Sequence, residues 1–139
     1  MSNIDVVKKF LAALEAVDLP AAEALLDDNV VYENVGFSVD HGREAAINTL
    51  KGFMRFSDRF EVIMHAIAEN GNIVLTERTD ILSGPGIHLE FWVCGRFEVR
   101  DNKIVLWKDY FDRAAVTGQI AKSMPGFLTT GVWTKLVNR

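Results

Sequence analysis

The spacing of apolar residues changes about one-third of the way along the chain, and this change limits the fold classes open to it. Between Asn3 and Val17 apolar residues recur every three or four positions, as on one face of a helix. From Phe60 onward they alternate with polar residues, as in half-buried β-strands. Helices followed by strands are typical of the α+β class, in which helices cover one face of a mostly antiparallel sheet.

Three helices are predicted in the first part of the chain. Asn3 is expected to cap the first helix and Asp18 the second, and a third helix is predicted over residues 43–55. A short strand over residues 30–35 separates the second helix from the third. The helices are therefore expected to precede most of the sheet.

Four long strands and one closing helix are predicted in the rest of the chain. The strands, each bounded by turn residues, cover residues 60–68, 72–82, 88–100 and 103–112. The inward side chains of the first are expected to be Phe60, Val62, Met64, Ala66 and Ala68. A helix is predicted over residues 114–124. These elements predict a curved, mixed but mostly antiparallel sheet that closes into a cone with a pocket inside.

Size and charge exclude several classes of protein. Residues 1–139 are enough for one hydrophobic core, and a single domain is expected. The 15 Lys and Arg are scattered among 19 Asp and Glu, so nucleic acid is not an expected partner. No apolar stretch is long enough to cross a bilayer and the start lacks a signal-peptide pattern. We therefore expect no membrane partner and a cytoplasmic location.

Cysteine and histidine usage argues against a metal centre. The single cysteine, Cys94, excludes an internal disulfide and is expected to be a buried apolar residue. The three histidines lie in different predicted elements without the spacing of a metal site. We expect neither a metal nor a cofactor.

An aspartate in the last predicted strand occupies an unusual position. Val105, Trp107, Asp109 and Phe111 share one strand phase, so the carboxylate is expected to lie among apolar side chains. Burying a charge is costly unless it is paired. Asp109 is therefore predicted either to have a partner or to take part in chemistry.

Two further pairs of polar residues lie two positions apart on predicted strands. Arg78 and Asp80 share a phase with Leu82, and Tyr32 shares a phase with Asn34. Each pair alone also fits a solvated sheet face or a surface ion pair. If the five polar groups meet inside the cone, one guanidinium bridges two carboxylates, so one can be a base and the other an acid. The Tyr hydroxyl and the Asn amide can then orient a water molecule.

Four segments carry a resemblance to a known family, and the most specific are Glu-Arg-Thr-Asp at 77–80 and Trp-Lys-Asp-Tyr-Phe-Asp at 107–112. The other two are residues 31–35 and 91–95. They resemble the limonene-1,2-epoxide hydrolase family, which shares its cone fold with nuclear transport factor 2, ketosteroid isomerase and SnoaL-type cyclases. The sequence looks particularly similar to the mycobacterial branch, which is associated with bulkier, lipid-like epoxides.

The resemblance implies a role for each of the five polar residues. Asp109, with Tyr32 and Asn34, would hold and deprotonate the attacking water. Asp80 would protonate the epoxide oxygen, and Arg78 would bridge the two carboxylates. The resemblance also implies an apolar epoxide as substrate and a homodimer formed through the outer face of the sheet.

Pocket-lining residues follow from strand phase. Leu82, Trp107 and Phe111 share a face with the acids and are expected to contact substrate, although Trp107 also fits plain core. Apolar residues within 127–136 are expected to cover either the pocket mouth or a partner subunit.

Two other functions use the same fold. An isomerase or cyclase would move a proton at carbon with one carboxylate, and it has no need of an arginine between two acids. A non-catalytic module that binds apolar ligands would need neither opposed carboxylates nor a water-holding pair.

Overall fold

The computed structural model describes residues 1–123, so the predicted roles of residues 127–136 lie outside the described part. Its elements, in chain order, are α1 (Asn3–Glu15), α2 (Leu19–Ala24), β1 (Leu26–Asn34), β2 (Ser38–His41), α3 (Arg43–Met54), β3 (Arg59–Asn70), β4 (Ile73–Gly84), β5 (Ile87–Arg100), β6 (Lys103–Phe111) and α4 (Arg113–Ser123). No helix among the described residues is both long and apolar enough to cross a membrane.

The six strands form one sheet in the order β2-β1-β6-β5-β4-β3. β3 to β6 form the predicted antiparallel meander, whereas β1 pairs with β6 in parallel. The α+β class and the mixed, mostly antiparallel sheet are confirmed. β2 was not predicted: it is only four residues long and returns along β1 after a turn in which Gly36 has a φ of 84°.

The cap of the first helix lies one residue before the predicted cap. Ser2 Oγ accepts a hydrogen bond from the Asp5 amide at 3.1 Å, and the Asp5 carboxylate accepts one from the Ser2 amide at 3.3 Å. This reciprocal capping satisfies two backbone donors, so Ser2 and not Asn3 is the N-cap. Asp18 caps α2 as predicted, since its carboxylate accepts from the Ala21 amide at 3.1 Å.

Two β-bulges change which side chains face the core. His65 is an extra residue between Met64 and Ala66 in the pairing with β4. Beyond it Ile67 packs against the core while Ala66 and Ala68 are exposed, so the predicted inward phase of those two alanines was wrong. Val105 is likewise the extra residue between Ile104 and Leu106, opposite β5. The buried side chain there is therefore that of Ile104, not that of Val105.

The concave face of the sheet is covered by α1 and α3. The core that they form with it consists mainly of aliphatic and aromatic side chains, including Phe10, Leu14, Ile47, Leu50, Phe97 and Trp107. The opposite, outer face is more exposed, and Trp92 on β5 is 50% exposed. Cys94 lies on this outer face and is half-buried, whereas it was predicted to be a buried apolar residue.

Candidate active site

One buried arginine joins two buried aspartates on the concave face of the sheet. Arg78 on β4 is 1% exposed, Asp80 4% and Asp109 on β6 5%. Arg78 Nε donates to Asp80 Oδ1 at 2.9 Å and Nη2 donates to Asp80 Oδ2 at 3.1 Å. Nη2 also donates to Asp109 Oδ2 at 2.9 Å. We call Asp80, Arg78 and Asp109 the acid–arginine triad.

A glycine on β5 makes this arrangement possible. β5 lies between β4 and β6, so the guanidinium must cross a full strand, and β4 and β6 are about 10 Å apart. Gly95 pairs with Thr76 on one side and with Asp109 on the other. A Cβ atom on Gly95 would lie 2.4 Å from Arg78 Nη1. The guanidinium therefore occupies the space that any other side chain would fill.

The remaining hydrogen-bonding groups of the triad also have partners. Arg78 Nη1 donates to Thr76 Oγ1 at 3.0 Å. Trp107 Nε1 donates to Asp109 Oδ1 at 3.1 Å. Both carboxylates are consequently held in fixed orientations by donors on neighbouring residues of β4 and β6.

Burial raises the pKa of both carboxyl groups above their ordinary range. Desolvation raises the pKa of Asp109 to about 6, opposed by Arg78 and assisted by the charge of Asp80. Desolvation likewise raises the pKa of Asp80, against the lowering effect of Arg78. The two acids share one guanidinium, so they titrate as a pair, and loss of the first proton makes the second harder to remove.

Tyr32 and Asn34 lie beside Asp109 because β1 runs parallel to β6. The register pairs Tyr32 with Trp107 and Asn34 with Asp109. The Tyr32 ring stacks on Trp107 at a centroid distance of 3.8 Å, and its hydroxyl donates to Asn34 Oδ1 at 3.3 Å. Burial, and then the charge of Asp109, raises the pKa of Tyr32 far above its ordinary value. Asn34 Nδ2 is buried and has no hydrogen-bond partner among the residues described.

These polar groups lie at the wall of a pocket whose other lining is almost entirely apolar. Leu82, Trp107 and Phe111 line this pocket, as the strand phases predicted. Further apolar lining comes from α1, α3, α4, the loop after α3 and the strand ends, namely Leu14, Phe37, Leu50, Phe53, Met54, Phe56, Phe60, Ile87, Leu89, Phe91, Val116 and Ile120. Such a pocket suits a hydrocarbon ligand that carries one reactive polar group.

Helix α4 closes one side of this pocket and is fastened to β5 by one side chain. Gln119 Oε1 accepts from the Glu90 amide at 2.8 Å, and Gln119 Nε2 donates to the Glu90 carbonyl at 2.6 Å. At Glu90 the strand extends beyond the end of β6. The glutamine thereby pairs with the free backbone amide and carbonyl at this strand edge, and it holds Val116 and Ile120 in the pocket wall.

The structure brings together all five polar residues that the sequence singled out. It adds Thr76 and Gly95, which the sequence analysis did not identify, although a glycine inside a strand is a known signal of close approach by another group. Phe37, Phe53 and Phe56 were missed, because strand phase says nothing about helices and turns. Within residues 1–123 no group of three or more His, Cys, Asp or Glu is arranged to hold a metal ion.

Comparison with known proteins gives a family that fits this site. Residues 1–122 match the limonene-1,2-epoxide hydrolase catalytic domain. The epoxide hydrolase EphG of Mycobacterium tuberculosis is 44% identical over 130 residues, which cover 89% of this chain and 86% of that protein. The chain therefore belongs to the limonene-1,2-epoxide hydrolase family, and the family and enzyme class expected from its sequence are confirmed.

Solved structures agree with this placement. An LEH-like epoxide hydrolase of M. tuberculosis has a TM-score of 0.78 and 39% identity, with 91% of this chain and 95% of that chain covered. A nuclear transport factor 2-like protein of Cytophaga hutchinsonii has a TM-score of 0.71 at 21% identity, covering 84% and 96% of the two chains. The second similarity shows the fold alone, which is the predicted cone.

Proposed function

We propose that this protein hydrolyses an apolar epoxide to a vicinal diol in one step and without a cofactor. One observation carries the proposal. The acid–arginine triad faces an apolar pocket next to a Tyr–Asn pair that has hydrogen-bonding capacity to spare. Two acids with one proton between them can take up a proton from water while giving one to the substrate oxygen.

The geometry favours Asp109 as the base. Asn34 is its direct neighbour across the β1–β6 pair, so a water held by Asn34 lies beside Asp109. Such a water can donate one hydrogen bond to Asp109 and another to Tyr32 Oη, because the Tyr32 hydroxyl already donates its own hydrogen bond to Asn34. The same water can accept a hydrogen bond from the free N–H of Asn34 and still keep one lone pair for attack on carbon.

Asp80 is then the acid. It lines the same pocket, and it shares Arg78 with Asp109. The water oxygen forms a bond to an epoxide carbon while the C–O bond to the ring oxygen breaks. Asp109 takes the water proton, and Asp80 gives its proton to the departing oxygen. Protonation avoids a free alkoxide, and each proton transfer contributes roughly 10²- to 10⁴-fold to the rate.

A panel of epoxides tests the proposal. Cyclohexene oxide, limonene-1,2-oxide and larger polycyclic epoxides are incubated with the enzyme, and products are separated by gas chromatography. Diol formation above the uncatalysed rate, increasing with apolar size, supports the proposal. Isomeric ketones or allylic alcohols without diol would indicate an isomerase. Tight binding without any turnover would indicate a ligand-binding module.

Gly95→Ala is expected to disable the enzyme although it adds a single methyl group. The added Cβ would collide with Nη1 of Arg78, whose guanidinium is fixed in place by four hydrogen bonds. Displacing the guanidinium disturbs both acids, so we expect kcat to fall at least 100-fold, or about 3 kcal/mol in barrier. Steady-state kinetics check this, with Gly118→Ala on α4 as control, because nothing lies within 4 Å of its added Cβ. Equal kcat values for the two variants would contradict the placement of Arg78.

The pH dependence of turnover is expected to be bell-shaped. Asp109 accepts a proton only as a carboxylate, and burial raises its pKa to about 6, so the rate should fall as the pH drops below about 6. At alkaline pH the remaining proton of the pair is lost, and the rate should fall again. Profiles of kcat/KM check both limbs. A rate that stays constant between about pH 4 and pH 7 would exclude a buried carboxylate base.

We also propose a homodimer formed through the outer face of the sheet. Ile63, Leu75, Trp92 and Tyr110 on this face are between 41% and 51% exposed. The pairing aligns Ile63 with Thr79 and Trp92 across β3, β4 and β5. An apolar patch on a sheet is an association site because its burial is favourable.

Trp92→Glu is expected to convert the dimer into a monomer. The added carboxylate would lie beside that of Glu77, which accepts a hydrogen bond from Trp92 Nε1 at 2.9 Å, and both charges would have to be desolvated on association. Sedimentation velocity at micromolar concentration should give twice the chain mass for the wild type and the single mass for Trp92→Glu. Asn48→Glu, which adds the same charge on the exposed side of α3, should remain dimeric. A monomeric wild type would contradict the proposal.

A further inference from the structure

A buried serine faces the active-site asparagine from the strand on its other side. Ser38 on β2 pairs directly with Asn34 on β1. In the order β2-β1-β6, Asn34 therefore lies between Ser38 and Asp109. Side chains of directly paired residues point to the same face, with Cβ atoms about 4.5 to 5.5 Å apart. Ser38 is 3% exposed and Asn34 6%, so both side chains face the interior.

Two polar atoms in this pair have no partner among residues 1–123. They are Ser38 Oγ and Asn34 Nδ2, and both are fully buried. A buried donor or acceptor without a hydrogen bond costs about 1 to 3 kcal/mol, so native proteins seldom leave two of them side by side. By contrast, the next inward carboxylate on β2, Asp40, accepts a hydrogen bond from Thr49 Oγ1 at 2.6 Å. In the part of the chain that the structure describes, the buried side-chain atoms without a hydrogen bond are thus confined to the Ser38–Asn34 pair.

The amide of Asn34 has one more donor than the attacking water uses. Its oxygen accepts from Tyr32, and one N–H is assigned to the water beside Asp109. The second N–H points away from that water, because the two hydrogens of a planar amide diverge. Because β1 lies between β2 and β6, Ser38 lies on the side of Asn34 that is opposite Asp109.

We propose that Ser38 is a positioning residue, whose hydroxyl anchors the second N–H of Asn34 through one buried water. The proposal rests on the proposed function, since Asn34 matters there only as the holder of the attacking water. The bridging water satisfies both buried atoms. It also fixes the rotation of the amide, and hence the direction in which the nucleophilic water is held.

Kinetics of Ser38→Ala in two backgrounds test the positioning role. In the wild-type background we expect kcat for diol formation to fall three- to tenfold with KM unchanged, and Ser38→Thr, which keeps the hydroxyl, to recover most of it. In an Asn34→Ala background, the same Ser38→Ala change should have no further effect. An equal loss in both backgrounds, or no loss in either, would overturn the proposal.

A crystal structure of the wild type tests the bridge independently of turnover. Electron density for one water within hydrogen-bonding distance of both Ser38 Oγ and Asn34 Nδ2 supports the proposal even if no epoxide is hydrolysed. Density that places a protein atom or empty space between them overturns it. If the proposed function is wrong, the wild type forms no diol. That outcome is independent of whether the crystal structure shows the bridging water.

Discussion

Asp109→Asn should lower kcat about 1,000-fold or more while the protein remains as stable as the wild type. The amide keeps the size of the carboxyl group but cannot accept a proton from water, so the general-base contribution of about 10²- to 10⁴-fold is lost. Stability should not suffer, because burial raises the pKa of Asp109 to about 6. The folded state therefore binds this proton more tightly than the unfolded chain, and ionisation at neutral pH costs on the order of 3 kcal/mol of folding free energy. Removing the charge removes that cost.

Steady-state kinetics and thermal unfolding together check this expectation. Asp80→Asn should also lose at least 100-fold in kcat, since an amide can hydrogen-bond to the epoxide oxygen without protonating it. Asp101→Asn makes the same chemical change on the exposed turn between β5 and β6 and should leave kcat unaltered. If Asp109→Asn kept near-wild-type turnover, the assignment of the base would be wrong.

Arg78→Ala is expected to abolish turnover and to lower the free energy of unfolding by about 3 to 5 kcal/mol. The substitution leaves Asp80 and Asp109 buried and facing each other without their shared cation. The loss should depend on pH. Without the arginine the pKa values of both carboxyl groups rise further above their unfolded values, so stability should recover as the pH falls and both groups take up protons.

Urea unfolding at pH 7 and at pH 5 checks this, because the destabilisation relative to wild type should be smaller at the lower pH. A second variant addresses the case in which Arg78→Ala does not fold. Arg78→Met combined with Asp80→Asn and Asp109→Asn removes the cation and both anions, so it should fold and be inactive. A destabilisation of Arg78→Ala that is equal at both pH values would show that the arginine acts through packing rather than charge.

Strand periodicity located the polar residues of the site more accurately than the residues that surround them. Asp109 and Arg78 were identifiable because a charged residue in phase with apolar neighbours is conspicuous in an alternating strand. The phase failed where a bulge intervened, at His65 and at Val105. A bulge is set by the register of two paired strands, which the residues of either strand alone do not specify.

The residues that support the site depend on contacts distant in sequence. Gly95 matters because Arg78 and Asp109 lie on the two strands that flank it. Ser38 matters because β2, too short to show a pattern of its own, pairs with β1 opposite Asn34. Such roles follow from strand order, which the sequence alone did not specify beyond the meander.

A single turnover in ¹⁸O-labelled water tests most directly whether water itself attacks the epoxide. Enzyme in excess over epoxide is mixed in H₂¹⁸O, and both the diol and the peptides that contain Asp80 and Asp109 are analysed by mass spectrometry. Direct attack predicts ¹⁸O in the diol at the first turnover and none in the protein. An unlabelled first diol, with ¹⁸O recovered in Asp80 or Asp109, would instead require an aspartyl ester and would contradict the account.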